Sequence, residues 1–390
     1  MYRNMNRESD HAIKDQSIKL PERTLGSTGL KVSLLGLGGF HQCEVDSGII
    51  EQVANRFIAL GGNYVETARS YGRGASEIKL GNVLKPYRKK LVIASKTAMR
   101  DAENAWRELN ETLNALQTDH LDLYFIHNIS RMEDANAILA PDGALKTFIR
   151  AKDEGMIKHI AISSHWPAIL PEIIDLVPFE TVLIWGNYLD FCNYPEIPEQ
   201  ILPALRKHGK GILFMKPLAD GYLYRSPVNA FRYALRHDCD CIVSGFNSLE
   251  MLNIDAAAIA EGPLNDAACA ALLTDAPELG NYVCRQCKNC TVLPGSQGNP
   301  LKRLFELEGK FDRQMNDYRP VDSGTYALRQ RLGGWFGNVE RATAMYSENA
   351  AEFIKLSAAS GLKPCRYHID IPRKIRIAAK KLSGGNPAEI

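Results

Sequence analysis

The sequence predicts an α/β fold built as a closed (β/α)₈ barrel, preceded by a β-hairpin and followed by a mainly helical segment of different character. Eight short, almost continuously apolar runs stand at 34–38, 64–66, 91–96, 121–127, 159–163, 181–185, 212–216 and 241–244. That is how parallel strands covered on both faces read. Stretches with helical spacing separate them, and eight such units in about 250 residues match the size of a (β/α)₈, or TIM, barrel. An open doubly wound sheet would carry a G-x-G-x-x-G fingerprint after its first strand, and none stands there.

In chain order, residues 1–22 read as a polar arm. RTLGSTGLKVS then places two β-prone pieces around Gly26, Ser27, Thr28 and Gly29, a hairpin signature that would cap the N-terminal mouth of a barrel. The barrel itself is assigned to 23–276. Its clearest helix is 101–117, where Trp106, Leu109, Leu113 and Leu116 recur at helical spacing and Asp101 suits the N-cap. The character changes near 276–283, and residues 277–390 hold late cysteines, a Gly- and Pro-rich loop at 293–300, helix-like stretches and the basic tail PRKIRIAAKK.

A chain of 390 residues can bury a large core. Its net charge of +2 supplies no electrostatic case for nucleic acid, and no apolar run is long enough for a membrane span. The first residues lack the apolar stretch of a secretory signal. With nine cysteines, four of them after residue 280, this favours metal or redox chemistry in a reducing, cytoplasmic setting over a disulfide framework.

In a barrel of this kind, chemistry sits at the C-terminal ends of the strands. Glu66 ends the second barrel strand, Tyr71 lies in the loop after it, Lys96 ends the third strand and His127 the fourth. The four groups make coherent chemistry. A carbonyl that accepts hydride develops negative charge on oxygen and needs a proton. Tyr71 can supply it, Lys96 would lower the phenol pKa, Glu66 would hold the ammonium, and His127 would orient the carbonyl or help pass the proton. Taken singly, each is more simply a turn, strand-end or core residue.

NYVETARSYGRGASEIKLGNVL resembles the aldo-keto reductase segment that bears the catalytic Asp and Tyr. VIASKT resembles that family's Lys strand, LDLYFIHN its His strand, and RTLGSTGLKVSLLGLGG its opening hairpin and first strand. ILFMKPLADG and SGFNSLEML resemble its last two strand-end loops. The resemblance spans roughly 23–275 in the right order. It implies a catalytic tetrad of Glu66, Tyr71, Lys96 and His127, with Glu66 standing where the family has Asp. It implies NAD(P)H bound along the rim by Ser163 and Ser164, Asn187, Lys216, Pro217 and Leu218, and Gly245, Asn247 and Ser248. The loop 246–249 carries no Lys or Arg, which a 2′-phosphate would require, so both NAD and NADP stay open. His165 points to the same rim, for substrate binding or to close a turn.

Cys284-x-x-Cys287-x-x-Cys290 has the spacing with which successive thiolates wrap one inorganic centre. Leu293 and Pro294 follow where a fourth cysteine would stand in a ferredoxin run, so Cys365 is the candidate to complete the set. Its context, KPCRYHIDIPRKI, resembles the C-P-x-x-I-D-I-P tail of iron–sulfur aldo-keto reductases, with Arg366 in place of Pro. A 4Fe-4S cluster is the first reading, a zinc site the second, and a three-cysteine or metal-free remnant the third. The metal would either fold a tail with little core of its own or transfer electrons to or from the barrel site, which leaves room for an electron-transfer partner. The expected function is an NAD(P)-dependent oxidoreductase that interconverts a carbonyl and an alcohol on a small polar, sugar-like molecule. The alternative is an NAD(P)-binding redox sensor or regulatory subunit with a structural metal and little turnover.

Overall fold

The structure, a computed structural model, describes residues 18–224, 226–274, 284, 300–309, 339–357, 362, 364–365 and 369–385. Residues 1–17 of the expected polar arm, Cys287, Cys290 and 293–299 lie outside these.

Two short strands, β1 (Glu22–Thr24) and β2 (Lys31–Ser33), pair antiparallel as the expected hairpin. Eight further strands follow: β3 (Leu35–Gly38), β4 (Tyr64–Glu66), β5 (Val92–Thr97), β6 (Leu121–Ile126), β7 (Ile157–Ser163), β8 (Thr181–Trp185), β9 (Gly211–Met215) and β10 (Cys241–Ser244). They are the eight apolar runs of the sequence, each ending within a residue or two of its expected limits. All pair parallel in chain order, and β10 closes back onto β3. Among the described residues, no helix is long and apolar enough to cross a membrane.

Strand alternation sorts the side chains. Tyr64, Val92, Ala94, Leu123, Phe125, Ala161, Leu183, Leu213, Cys241 and Val243 fill the barrel interior. Val65, Ile93, Tyr124, Ile126 and Ile162 face outward against the helices. Because the period is two, the next inward positions after Tyr64, Ala94, Phe125 and Ala161 are Glu66, Lys96, His127 and Ser163. A polar layer is thereby set on top of an apolar plug.

The helices cover the outer face. Ala102–Leu116 follows the sequence expectation: Asp101 accepts a hydrogen bond from the Asn104 N–H at 2.9 Å, and Gln117 ends the helix in the left-handed region at φ 53°. Leu109, Leu113 and Leu116 are buried, while Trp106 is half-buried beneath the Arg150 guanidinium, 3.6 Å from its ring centroid.

The hairpin seals the N-terminal end. Leu25 and Val32 are fully buried and join the interior cluster. The Ser27 N–H donates to Gly209 O at 2.8 Å and the Gly26 N–H to Asp240 Oδ2 at 3.2 Å. A Cβ on Gly26 would lie 2.2 Å from the Gly211 nitrogen, so only glycine fits there. Three carboxylates bind strands together near this end. Asp122 accepts from the Ile93 N–H, Glu180 from the Ile160 N–H and Asp240 from the Ile212 N–H, each with a cationic side chain as a further partner.

Beyond the barrel, helices Pro300–Gly309, Val339–Glu348, Ala350–Ser357 and Ile371–Leu382 share a core that includes Leu304, Phe305, Phe353, Leu356, Ile375 and Leu382. Buried Glu308 is held there by Lys374 at 2.9 Å and Lys381 at 2.8 Å. The expectation of a tail with little core of its own is therefore corrected. Its apolar positions lie on separate helices, and the cluster they form is not visible in any one stretch of sequence.

Candidate active site

One cavity of about 330 Å³ opens at the C-terminal ends of the strands, and Glu66, Tyr71, Lys96 and His127 all line it. Lys96, only 1% exposed, is the hub. Its ammonium meets Glu66 Oε1 at 2.6 Å, Thr67 O at 2.9 Å and the Tyr71 hydroxyl oxygen at 3.2 Å. Three acceptors match its three protons. Because Lys96 donates to the phenol oxygen, the proton of Tyr71 is left to point elsewhere.

The loop that carries Tyr71 is held in a demanding conformation. Gly72, Arg73 and Gly74 have φ of 58°, 55° and 90°, and a Cβ on Gly74 would lie 2.2 Å from Arg69 Nη1. Arg69 in turn donates to buried Glu77 at 3.0 Å, and Glu77 also accepts from Ser95 Oγ and Thr112 Oγ1. The turn is thus tied to both the third strand and its following helix. Phe40 packs edge-on against Tyr71 at 5.1 Å between centroids, and His127 does so at 6.1 Å.

Electrostatics sets the protonation states. Burial pushes Tyr71 above the ordinary phenol value and outweighs the downward pull of Lys96. The sequence expectation that Lys96 would lower the phenol holds as a contribution and fails as the balance. Burial likewise raises Glu66 despite Lys96. Lys96 is raised: burial works against its charge, but Glu66 and Tyr71 outweigh it. His127 falls well below its usual value through burial, with the charges of Lys96, His165, Arg100 and Lys216 adding to the effect. At neutral pH the site therefore offers a neutral phenol and a neutral imidazole beside the Lys96 ammonium, whose partner Glu66 is drawn towards its ionised form by that charge and away from it by burial.

The remaining expected residues divide into two groups. Ser163, His165, Lys216, Pro217, Leu218 and Gly245 line the cavity. Ser163 Oγ accepts from the Asn128 N–H at 2.9 Å. Lys216 pairs with Asp220 at 2.9 Å and lies 4.6 Å from the Trp185 ring centroid. Ser164, Asn187, Asn247 and Ser248 are buried and absent from the cavity lining, where they serve turns and caps. Ser164 Oγ accepts from the Trp166 N–H, and Asn187 Oδ1 accepts from the Asp190 N–H while its amide donates to Lys216 O. Ser248 caps helix Leu249–Glu261, and Asn247 donates to Glu44. The structure adds Phe40, His41, Met215 and Asp220 to the wall. The first two sit on a 3₁₀ turn after β3 that no periodicity marks.

Cys284 and Cys365 both pack against the C-terminal helical core. No group of three or more His, Cys, Asp or Glu able to hold a metal occurs among the described residues, a set that leaves out Cys287 and Cys290.

The model of the aldo/keto reductase family matches residues 35–260, from β3 to the end of the helix after β10. The uncharacterized oxidoreductase YqkF of Bacillus subtilis is 27% identical over 220 residues, 53% of this chain and 68% of that protein. L-galactose dehydrogenase of Arabidopsis thaliana is 30% identical over 218 residues, 53% of this chain and 67% of that one. Among solved structures, an aldo-keto reductase from Bacillus halodurans in its holo form shares the fold, with a TM-score of 0.56 and 23% identity over 67% of this chain and 96% of its own. With the closed parallel barrel already described, the family match settles the assignment: this chain is an oxidoreductase of the aldo/keto reductase family.

Proposed function

We propose that this protein is a nicotinamide-dependent oxidoreductase that interconverts a carbonyl and an alcohol, with Tyr71 as the group that gives and takes the proton. The single observation that carries the reading is the Glu66–Lys96–Tyr71 chain of contacts, 2.6 and 3.2 Å long, at the wall of the one cavity described at this rim.

The wall suits an elongated anionic cofactor. Lys216 supplies a cation that Asp220 holds in place, and helix Leu249–Glu261 starts four residues after Gly245 and brings its positive end to the same side. Gly245 is packed so closely that a Cβ would lie 2.5 Å from the His41 ring, which keeps bare backbone at the cavity. Ser163, Lys216, Pro217, Leu218 and Gly245 would touch the dinucleotide, and Ser164, Asn187, Asn247 and Ser248 would shape the turns that present them. When bound, the nicotinamide supplies or accepts hydride at the substrate carbon. The loop at 246–249 brings no cation to a 2′-phosphate, and the choice between NAD and NADP is left open.

The chain's own residues then do the following. Tyr71, protonated and accepting a hydrogen bond from Lys96, donates its proton to the substrate oxygen as charge develops there. The Lys96 ammonium stabilises the resulting phenolate, and Glu66 keeps that ammonium in place. Neutral His127 can offer an N–H to the same oxygen without competing for the proton. In the oxidation direction the phenolate removes the proton from the alcohol. Polar groups left at the cavity wall (His165 and Asp220) favour a small hydroxylated substrate, and the name of the plant relative, L-galactose dehydrogenase, points to a sugar.

We also assign Cys284, Cys287, Cys290 and Cys365 to a 4Fe-4S cluster, in keeping with an iron–sulfur branch of the family. Support comes from the C-x-x-C-x-x-C run and from Cys284 and Cys365 meeting one helical core although far apart in sequence. Four thiolates suit iron and also zinc, and a cluster would call for an electron-transfer partner or serve the fold alone.

Tyr71→Phe tests the central reading with glyceraldehyde and both NADH and NADPH. Loss of turnover by a factor of about 10²–10⁴, with cofactor binding retained, is the expected result. Unchanged turnover in Tyr71→Phe would remove Tyr71 from the chemistry, and cofactor binding without turnover in the wild type would favour the sensor.

A further inference from the structure

Two buried polar atoms next to the site have no partner among the described residues: the Tyr64 hydroxyl and the second carboxylate oxygen of Glu66, Oε2. They belong to β4 two residues apart, so both side chains enter the barrel interior from one strand, Tyr64 in the apolar plug and Glu66 in the layer above. One is a donor and the other an acceptor. Leaving either dry and unpaired would cost stability. Two such groups on the same inward face are what a single internal water needs to bridge.

We propose that Tyr64 is a positioning residue for the reaction: its hydroxyl donates through one bound water to Glu66 Oε2 and keeps that carboxylate ionised beneath Lys96. This rests on the proposed role of Tyr71 and deepens it. The buried relay then runs Tyr64–water–Glu66–Lys96–Tyr71. Its purpose follows from the longer arm of Glu66. Oε1 is committed to Lys96 at 2.6 Å, Oε2 is buried with no partner among the described residues, and burial opposes the charge of the carboxylate. A donor from below offsets that penalty. The electrostatic coupling runs both ways, since Tyr64 is itself held far above the ordinary phenol value, first by burial and then by the Glu66 charge. A phenol so reluctant to ionise remains a donor at every pH of interest.

The sign is definite. If Tyr64 supports the ionised form of Glu66, removing its hydroxyl raises the Glu66 pKa. The acid limb of the activity profile then moves to higher pH, because activity is lost where Glu66 becomes neutral and releases Lys96. Tyr64→Phe removes one oxygen and keeps the ring that fills the plug.

The test compares wild type, Y64F, E66Q and Y64F/E66Q. Infrared difference spectra over a pH series follow the protonated-carboxyl band that E66Q removes, a readout that needs no substrate. In parallel, kcat/KM for glyceraldehyde is measured against pH. The expected result is that the Glu66 band and the acid limb both rise in Y64F by about one pH unit, a tenfold change in the ionisation ratio, and that Y64F adds nothing in the E66Q background. A Glu66 band at the same pH in Y64F and wild type overturns the proposal, and a higher melting temperature in Y64F would identify its hydroxyl as simply unpaired. Failure of the underlying reading shows separately, as full turnover by Tyr71→Phe, and leaves the infrared result standing on its own.

Discussion

Tyr71 stays a neutral phenol because burial and the Lys96 charge act on it in opposite senses and burial prevails. In the proposed reaction that makes Lys96 more a stabiliser of the phenolate than a group that ionises it beforehand. Removing it should therefore damage both chemistry and fold. We expect Lys96→Met to lower kcat by a factor of about 10²–10⁴ and to destabilise the protein by roughly 3–5 kcal/mol, since it strands the buried Glu66 carboxylate. Kinetics and denaturant melts check the two parts, and a loss of activity at unchanged stability would contradict the hub role. At this scale the sequence was most informative where a residue ended a strand. Glu66, Lys96 and His127 could be placed at one rim because strand ends in a parallel barrel share an end. Phe40 and His41 could not, because a short 3₁₀ turn imposes no spacing on its residues. Ser164, Asn187, Asn247 and Ser248 stand at the expected loops, yet their side chains serve caps and turns, which residue type alone does not distinguish from ligand contacts.

The elements were legible to the extent that their periodicity was strong. All eight barrel strands coincide with continuous apolar runs, because each is covered on the outside by helices and on the inside by its neighbours' side chains. The helix Ala102–Leu116 was marked by its cap as well as its stripe. What no local pattern carries is the joint between elements, such as Leu25 of the hairpin plugging the barrel. We expect Leu25→Ala to cost about 2–5 kcal/mol, measurable by urea unfolding, and a neutral effect would mean that the hairpin is a loose cover. The carboxylates at this end give a pH signature. Burial works against the charge of Glu180, but hydrogen bonds from His159, Lys152 and the Ile160 N–H prevail and hold it at about 2. Its contribution is complete above the ordinary value of 4.5 and disappears as pH falls through about 2. The Tm deficit of Glu180→Gln should accordingly be full at neutral pH and shrink steadily below pH 4.5. A deficit independent of pH would rule out this source of stability.

At the scale of the whole molecule, the chain combines a family barrel with a helical C-terminal core that the family match at 35–260 does not reach. The sequence disclosed this second part through its cysteines, not through its packing. Tight cysteine spacing is local and readable, whereas the meeting of helices Pro300–Gly309 and Ile371–Leu382 around Glu308 is a long-range contact. Anaerobic purification should yield about four iron and four sulfide per chain, with Cys365→Ser reducing both. Zinc in their place would reassign the site without affecting the barrel chemistry.

The proposed reaction depends on one proton moving between Tyr71 and a substrate oxygen. Single-turnover rates of carbonyl reduction and alcohol oxidation, followed across the alkaline range in the same enzyme, test this most directly. Reduction should fall, and oxidation should rise, through one common pKa above the ordinary phenol value of 10. Two unrelated pKa values, or rates that do not respond to pH in either direction, would show that the phenol of Tyr71 is not the group that carries the proton.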